Sequence, residues 1–464
     1  MNESATESEQ DPTFRQLMDY TAETMQRLHV PGVAIGILYE GKEYVGGLGV
    51  TNVDHPLPVD ADTLFQIGST TKTMTATAAM RLVEQGKLAL DTPIREYLPD
   101  LRLADEDVTA RATLRHIFTH TGGWVGDYFD DVGMGDDALA KIVAKMEKTP
   151  QLTPLGEIWS YCNSGFYLAG RVIEVVTGKV YEEAVRELVL EPLGLKHSFF
   201  FANEVITHRF AVGHEVRDEK PVVARPWALP RSANAAGGVS STVKDQLRYA
   251  RFHLGDGTAP DGTHLLTRES MRLMQSPLAQ AGNLADEVGV TWMRKKVGGA
   301  QIIRHGGATN GQLSAFSMIP ERAFAITILT NADRGGELND EVVKWAHQHY
   351  LGLSDPEPVP LDLPKETLAP YLGRYSAAMD DIELSLVDGA LVMKVTEQNP
   401  FSEKDATPPP PIPPIRLAFW NEDRVIALDA PLKNDQGEFL RTPDGSIAWL
   451  RFGGRIHKRE GQSA

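Results

Sequence analysis

A serine and a lysine three residues apart, Ser69 and Lys72, are the side chains in this sequence that most directly suggest chemistry. They lie where an apolar segment, Phe65-Gln66-Ile67, leads into a stretch with helical periodicity. On a helix, residues i and i+3 share a face, so the hydroxyl and the amine can converge. A lysine buried on such a helix is pushed toward its neutral form, which can take a proton from serine. The pair is therefore a candidate for nucleophilic catalysis.

Two further stretches strengthen this candidate, because an isolated Ser-x-x-Lys pair often marks only a solvated helix start. Tyr161-Cys162-Asn163 lies in a turn that leads into a helix, and His305-Gly306-Gly307 lies at the mouth of a late strand. Taken singly, Tyr161 fits a packed phenol and His305 a surface histidine. Taken together, the three stretches offer a nucleophile, candidate bases and hydrogen-bonding groups.

In the order Ser-x-x-Lys, Tyr-x-Asn, His-x-Gly, these motifs resemble the penicillin-recognising serine hydrolases. That family includes the class C β-lactamases, the D,D-peptidases, the D-aminopeptidases and related esterases. Three more stretches resemble it: 88–98 (LALDTPIREYL), 114–124 (LRHIFTHTGGW) and 235–245 (AAGGVSSTVKD). The likeness covers roughly residues 12 to 350.

The resemblance implies that Ser69 attacks a carbonyl and becomes acylated. Lys72, with Tyr161 as phenolate or relay, would accept the serine proton and return it to the leaving group. Either of these two residues fits the role of base, and the pair would titrate as a unit. Asn163 would donate to the substrate carbonyl and accept from Lys72.

The resemblance also assigns backbone roles. Gly307 would let the substrate approach the strand edge, and the N–H groups of Ser69 and Ala308 would form an oxyanion hole. The sequence departs from the pattern at His305, where many members carry lysine. A histidine with a pKa near ~6.5 is mostly neutral at pH 7, so substrate choice is expected to depend on pH. This departure favours an esterase or a D-aminopeptidase-like peptidase, with β-lactam hydrolysis secondary.

Other functions fit this sequence less well. A cysteine nucleophile at Cys162 lacks a surrounding catalytic His/Asn signature. No G-x-S-x-G elbow, P-loop, dinucleotide fingerprint or H-E-x-x-H occurs. His116 and His120, at i and i+4, have no carboxylate or cysteine at ligand spacing, so we predict capping or packing roles and no metal or cofactor. A sensor that acylates and stalls, or an assembly protein on the same fold, remains the alternative to a turning-over enzyme.

The periodicity around these motifs predicts an α/β layered domain over residues 12–352. A helix to about Leu28 precedes strands at 33–39 and 44–50, and a mostly helical block follows from about 88 to 195. Strands return at 301–304, 312–319 and 324–330, before a closing helix at 333–350. We therefore expect a sheet made from both ends of the domain, antiparallel and β-lactamase-like by resemblance, flanked by helices and a helical subdomain.

A linker is predicted at 353–367, followed by an all-β domain at 368–464 with hairpin turns at Asp388-Gly389 and Asp444-Gly445. Its short alternating strands predict a small barrel or sandwich, which loosely resembles the lipocalin-like domains of some family members. Since the catalytic motifs end by Ala308, we expect this tail to limit access or mediate assembly, not to supply chemistry. A proline-rich loop, 407–415, is the segment expected near the cleft.

The bulk composition limits the partners. The 464 residues carry a net charge of −17, which argues against nucleic acid or an anionic membrane. A single cysteine rules out an intrachain disulfide, and no apolar run is long enough to span a bilayer. We expect a cytoplasmic protein, although a chain that had lost a leader would read the same. The expected partner is a small-molecule ester, peptide or β-lactam, with a homo-oligomer as a further option.

Overall fold

The computed structural model describes residues 11–282, 284–397 and 411–461. Within these ranges, an eight-stranded sheet packed between helices is followed by a closed eight-stranded barrel. The predicted fold class, an α/β layered domain with an antiparallel sheet followed by an all-β barrel, is thereby confirmed. The predicted domain limits stay a prediction.

The strands of the first part of the chain alternate with loops and helices. In chain order they are β1 Gly32–Tyr39, β2 Lys42–Gly49, β3 Phe65–Gln66, β4 Ser198–Phe199, β5 His214–Arg217, β6 Lys220–Val223, β7 Ser240–Ser241, β8 Ala279–Gln280, β9 Glu287–Val288, β10 Met293–Val297, β11 Ala300–Thr309, β12 Gln312–Ile319 and β13 Phe324–Thr330. The large sheet has the order β2-β1-β13-β12-β11-β10-β9-β8, and its neighbouring strands are antiparallel. It therefore joins strands from both ends of the domain, as predicted.

Helices cover both faces of this sheet. The α-helices of the described residues are α1 Pro12–Leu28, α2 Thr71–Glu84, α3 Ile94–Tyr97, α4 Glu106–Arg111, α5 Leu114–Phe118, α6 Ala138–Lys145, α7 Ser164–Thr177, α8 Tyr181–Val185, α9 Ala202–Val205, α10 Asn234–Gly237, α11 Val243–Leu254, α12 Arg268–Gln275, α13 Gly335–Leu351 and α14 Lys365–Leu368. The last of them packs against the barrel core.

Strand β1, next to the edge strand β2, is apolar because it is buried on both faces. Ile35 and Ile37 belong to the core formed with α1 and α13. Ala34 and Leu38, which alternate with them, belong to the larger core that contains α2 and α11. Two helical layers thus enclose one sheet, and the segment that carries Ser69 lies in the second layer.

The helix that follows Ser69 is buried more completely than its apolar stripe predicts. Ser69 itself lies in a 3-10 turn, Gly68–Thr70, which continues directly into α2. Met74, Ala78 and Leu82 are buried as expected, but the threonines on the other faces of α2 are buried too. Their hydroxyls are satisfied locally; for example, Thr75 donates to Ala235 O at 2.8 Å. The nucleophile candidate therefore stands at the end of a rigid, enclosed helix.

The barrel closes through eight antiparallel strands. They are β14 Gly373–Ser376, β15 Asp380–Val387, β16 Ala390–Glu397, β17 Ile415–Asn421, β18 Arg424–Ala427, β19 Gln436–Arg441, β20 Ile447–Phe452 and β21 Arg455–Arg459. Both predicted hairpins occur, and Asp388 and Gly389 take the positive φ values of 50° and 83° that such a tight turn needs. The barrel's own apolar side chains fill its interior, including Tyr375, Phe419 and Phe439. Of the proline-rich loop, residues 407–410 lie outside the described ranges.

In the described ranges, no helix is both long and apolar enough to cross a membrane.

Candidate active site

The Ser69 hydroxyl and the Lys72 amine meet as their spacing predicts. Lys72 Nζ lies 2.8 Å from Ser69 Oγ, because the 3-10 turn and the first turn of α2 place both side chains on one side. Ser69 is half-buried, whereas Lys72 is completely enclosed. A partly buried serine thus contacts an amine closed off from solvent.

Two more oxygen atoms surround the amine. Lys72 Nζ lies 2.7 Å from Asn163 Oδ1 and 2.7 Å from the carbonyl oxygen of Ala236. Burial lowers the pKa of Lys72 well below its usual range, and the positive charge of Arg455 lowers it further, against a smaller opposing effect of Asp127. The low pKa favours the neutral amine, which can accept a proton.

Tyr161 lies in the turn before α7, and its ring centroid is 5.1 Å from Lys72 Nζ. Burial raises the pKa of Tyr161, although a hydrogen bond with the Ser69 side chain and the charge of Arg455 act in the opposite direction. The ring of His120 stacks against the phenol, with centroids 4.5 Å apart and planes inclined at 22°. Tyr161 is therefore held in place beside Ser69 as a neutral phenol.

Asn163 joins the lysine to a buried carboxylate. Its Oδ1 accepts from Lys72, and its Nδ2 donates to Asp127 Oδ1 at 2.6 Å. Cys162, between Tyr161 and Asn163, is buried, and burial raises the pKa of its thiol. A high thiol pKa disfavours the thiolate, so this environment does not support a cysteine nucleophile.

Strand β11 lies against the Ser69 turn at its glycine-containing segment. A Cβ on Gly307 would stand 1.9 Å from Ile67 O and 2.7 Å from Ser69 N. Gly68 has a φ of +49°, and a Cβ there would stand 2.6 Å from Ala308 N. Both glycines are needed for this close approach. It brings the backbone of the Ser69 turn into contact with that of Gly307 and Ala308.

His305 differs from its expected behaviour. The predicted strand ended at 304, but β11 runs on to Thr309, so His305 lies within the sheet. Its side chain is buried, its Nδ1 lies 2.6 Å from Gly306 O, and its Nε2 has no hydrogen-bond partner in the described part of the chain. Burial, with a smaller effect of the Lys72 charge, lowers the pKa of His305 to about 3. Burial therefore favours the neutral imidazole near pH 6, against the change of charge that the sequence led us to expect.

The barrel reaches the same site through the turn between β20 and β21. Gly454 O accepts the backbone N–H of Tyr161 at 2.8 Å. Arg455 Nε donates to Asp127 Oδ2 at 3.0 Å, and its guanidinium carbon lies 4.8 Å from the centroid of the Tyr161 ring. The segment of the tail that meets the described site is this turn, not the described part of the proline-rich loop.

Comparisons with known proteins agree with this geometry. The beta-lactamase family model matches residues 6–349, about three quarters of the chain. The chain belongs to the beta-lactamase family. It is 34% identical over 361 residues to "Penicillin-binding protein 4" of Amycolatopsis lactamdurans, covering 75% of this chain and 93% of that protein. It is also 30% identical over 242 residues to a "Beta-lactamase" of Pseudomonas fluorescens, covering 52% of this chain and 65% of that one.

Solved structures extend the similarity of this family member into the barrel. The structure of SurE superposes with a TM-score of 0.77 at 26% identity, covering 96% of this chain and 98% of SurE. The octameric penicillin-binding protein homologue from Pyrococcus abyssi gives 0.65 at 25% identity, covering 96% and 99%. A barrel of this kind therefore occurs together with the beta-lactamase-like domain in other proteins of this fold.

The motif-based prediction for this beta-lactamase-family chain missed two charged residues, Asp127 and Arg455. They are 328 positions apart, and neither belongs to a motif named above. The Gly453-Gly454-Arg455 turn was the available signal, since paired glycines often mark a close backbone approach.

His116 and His120, four positions apart, have separate surroundings. His116 caps α5 through Thr113, as a predicted capping role requires. Helix α5 ends at Phe118, so His120 lies beyond it and packs on Tyr161. Among the described residues, no group of three or more His, Cys, Asp or Glu side chains could hold a metal.

Proposed function

We propose that this beta-lactamase-family protein is a serine hydrolase that cleaves an ester or amide through an acyl-enzyme on Ser69. The observation that carries the proposal is the 2.8 Å contact between Ser69 Oγ and the enclosed amine of Lys72. Burial lowers the pKa of this amine, which favours the neutral form that accepts a proton, and the serine beside it is only half-buried.

The three oxygen contacts of Lys72 fit a neutral amine that accepts from Ser69, as they also fit an ammonium that donates to all three. A neutral amine has two N–H donors and one lone pair. The two donors match Asn163 Oδ1 and Ala236 O, which leaves the lone pair for the proton of Ser69. Tyr161 is placed to relay that proton, because it also hydrogen bonds with Ser69.

In the proposed reaction, Ser69 Oγ forms a bond to the substrate carbonyl carbon while its proton passes to Lys72, directly or through Tyr161. The tetrahedral oxyanion is stabilised by the N–H groups of Ser69 and Ala308, each such donor contributing typically ~3 kcal/mol. Collapse breaks the bond to the leaving amine or alcohol, which takes the proton back. Water or an alcohol then attacks the acyl carbonyl carbon while its proton passes to Lys72. The bond from that carbon to Ser69 Oγ breaks as Lys72 returns the proton to Oγ.

We propose a D-amino-acid ester or amide as the substrate class, with β-lactam hydrolysis secondary. A structure of SurE was determined with D-Leu, and that chain is 25% identical with a TM-score of 0.74, covering 96% of this chain and 99% of SurE. The neutral, buried His305 fits this preference, since it offers no cation where many relatives carry lysine.

The test joins a covalent label to a substrate panel. Mass spectrometry after a fluorophosphonate or a penicillin is expected to find the adduct on Ser69 and none in Ser69→Ala. D-Alanine p-nitroanilide and p-nitrophenyl esters are expected to turn over faster than a chromogenic cephalosporin, and L-alanine p-nitroanilide is the matched control. An adduct on Cys162, or full activity in Ser69→Ala, would overturn the assignment.

A second candidate is a protein that acylates and stalls, as a sensor or an assembly protein. The observation that favours it is the similarity to a protein named as penicillin-binding, at 34% identity. A burst of one equivalent without further turnover on the whole panel would support this candidate over the enzyme.

We further propose self-association, supported by the octameric homologue from Pyrococcus abyssi, with sedimentation as the measurement.

A further inference from the structure

The barrel contributes a charged side chain that is connected by contacts to the Lys72 amine. Arg455, at the start of β21, donates from Nε to Asp127 Oδ2 at 3.0 Å, with Nη2 3.4 Å from Oδ1. The same carboxylate accepts from Asn163 Nδ2 at 2.6 Å, and Asn163 Oδ1 contacts Lys72 Nζ at 2.7 Å. A continuous path of hydrogen bonds therefore runs from the barrel to the amine.

Both charged members of this path are held firmly. The Asp127 side chain is only 5% exposed, so its charge needs a partner, and Arg455 provides one. Burial alone would raise the pKa of Asp127, but the charge and hydrogen bonds of Arg455, together with Asn163, outweigh burial and lower that pKa. Arg455 also lies over the ring of Tyr161, with 4.8 Å from its guanidinium carbon to the ring centroid.

Of the titratable groups around Lys72, Asp127 and Arg455 are the ones that stay charged near neutral pH. The groups that face the amine or its contacts are Tyr161, Cys162, His120, His305, Asp127 and Arg455. Burial favours the neutral forms of the first four, raising the pKa of the phenol and the thiol and lowering the pKa of both imidazoles. The charge balance at the amine is therefore set by one carboxylate and one guanidinium.

We propose that Asp127 and Arg455 are positioning residues for Lys72: the barrel's guanidinium holds the carboxylate, the carboxylate orients Asn163, and the two opposite charges fix the proton affinity of the amine. This inference rests on the proposed role of Lys72 as proton acceptor. It makes the C-terminal barrel a functional part of the site and not only a wall of the cleft, contrary to the expectation from sequence.

The two charges act on Lys72 in opposite directions, which gives a test that a purely structural role would fail. Arg455→Met removes a cation, so Lys72 should be protonated more easily. The rise of the reaction rate with pH as Lys72 loses its proton, here called the acid limb, should then move to higher pH. Asp127→Asn removes an anion but keeps an acceptor for Asn163, so the limb should move to lower pH. We expect shifts of about half a pH unit to one pH unit in each direction.

The measurement is the rate of Ser69 labelling by a fluorophosphonate between pH 5 and 10, on the full chain. This probe has no carboxylate, so a role of Arg455 confined to binding a substrate carboxylate would leave the limb in place. Arg451→Met is the matched control: this barrel arginine donates to Trp159 O at 3.1 Å but not to Asp127, and its loss should leave the limb unmoved. Asp127→Asn with Arg455→Met should return the limb toward the parent position.

Arg455→Lys covers the case in which Arg455→Met does not fold. Lysine keeps the charge, so its limb should stay near the parent's while Asp127→Asn still moves to lower pH. If the acid limbs of Arg455→Met and Asp127→Asn do not move, or both move in the same direction, the inference is overturned. Labelling of the parent protein on Ser69 would still uphold the proposed function in that case. A parent that is not labelled on Ser69 would overturn both.

Discussion

The two sides of the Lys72 amine are built in different ways. On one side, Ser69 is three residues away, on the same rigid helical segment. On the other side, Asn163 and Asp127 come from separate loops, and Arg455 comes from another domain, with its side chain still 37% exposed. The first side depends on local backbone geometry, and the second depends on how two domains dock.

The local side supplies the reacting groups, and the distant side sets their orientation and proton affinity. Local spacing places the hydroxyl and the amine on one face of the helical segment. The contact of Arg455 with Asp127 forms only when the barrel is seated, and it acts on proton affinity and orientation. Loss of the local side should therefore abolish the reaction, whereas loss of the distant side should change its rate and pH dependence.

The largest effect is expected from the local side. Lys72→Ala should lower kcat by roughly 10³-fold, because no other described group is placed to take the Ser69 proton in the same way. Single-turnover kinetics with a p-nitrophenyl ester would measure it, with Lys141→Ala, at an exposed ion pair on α6, as the control. Retention of more than a tenth of the parent rate would contradict the assignment.

A smaller effect is expected at Tyr161, where the two sides meet. Tyr161→Phe keeps the ring under Arg455 and over His120 but removes the hydroxyl that bonds with Ser69. We expect a loss of ~10²-fold in kcat, and the double change with Lys72→Ala should cost much less than the product of the two losses. Multiplicative losses would mean that the two residues do not act as one unit.

The contact between the Ser69 turn and β11 should respond to a single methyl group. Gly307→Ala places a Cβ 1.9 Å from Ile67 O, so the strand or the turn must move. We expect about tenfold slower acylation and roughly 2 kcal/mol of lost stability, the usual range for overpacking. Gly306→Ala is the control, because the nearest atom to its Cβ would be Ser314 O at 3.2 Å. Equal effects of the two changes in chemical denaturation and acylation would refute this account.

The features predicted correctly from sequence are those that follow from short-range patterns. The buried strand β1, the hairpin turns of the barrel and the approach of Ser69 to Lys72 all depend on spacing within a few residues. What could not be predicted depends on packing between distant segments. Nothing local marks Asp127 as the partner of Arg455, and the length of β11, which buries His305, is decided by its pairing with β12.

The smallest expected effect is at His305. Its burial should leave substrate choice independent of pH while making stability depend on pH. With a pKa lowered to about 3 by burial, the imidazole stays neutral from pH 5.5 to 8.5 in the folded protein. The ratio of kcat/KM for a carboxylate-bearing and a neutral ester should therefore stay flat across that range. A ratio that rises toward pH 6 would show that His305 becomes charged in the cleft.

The same pKa should appear in unfolding. The unfolded chain protonates this histidine near ~6.5 and the folded protein does not, so stability is fully present above that pH. It should fall by up to ~1.4 kcal/mol per pH unit as pH decreases from there toward about 3. His305→Asn should make urea unfolding less sensitive to pH between 6.5 and 4.5, whereas His349→Asn, at an exposed position on α13, should not. If both variants keep the parent's slope, burial does not hold His305 neutral, and the charge at this point of the cleft is open to change with pH after all.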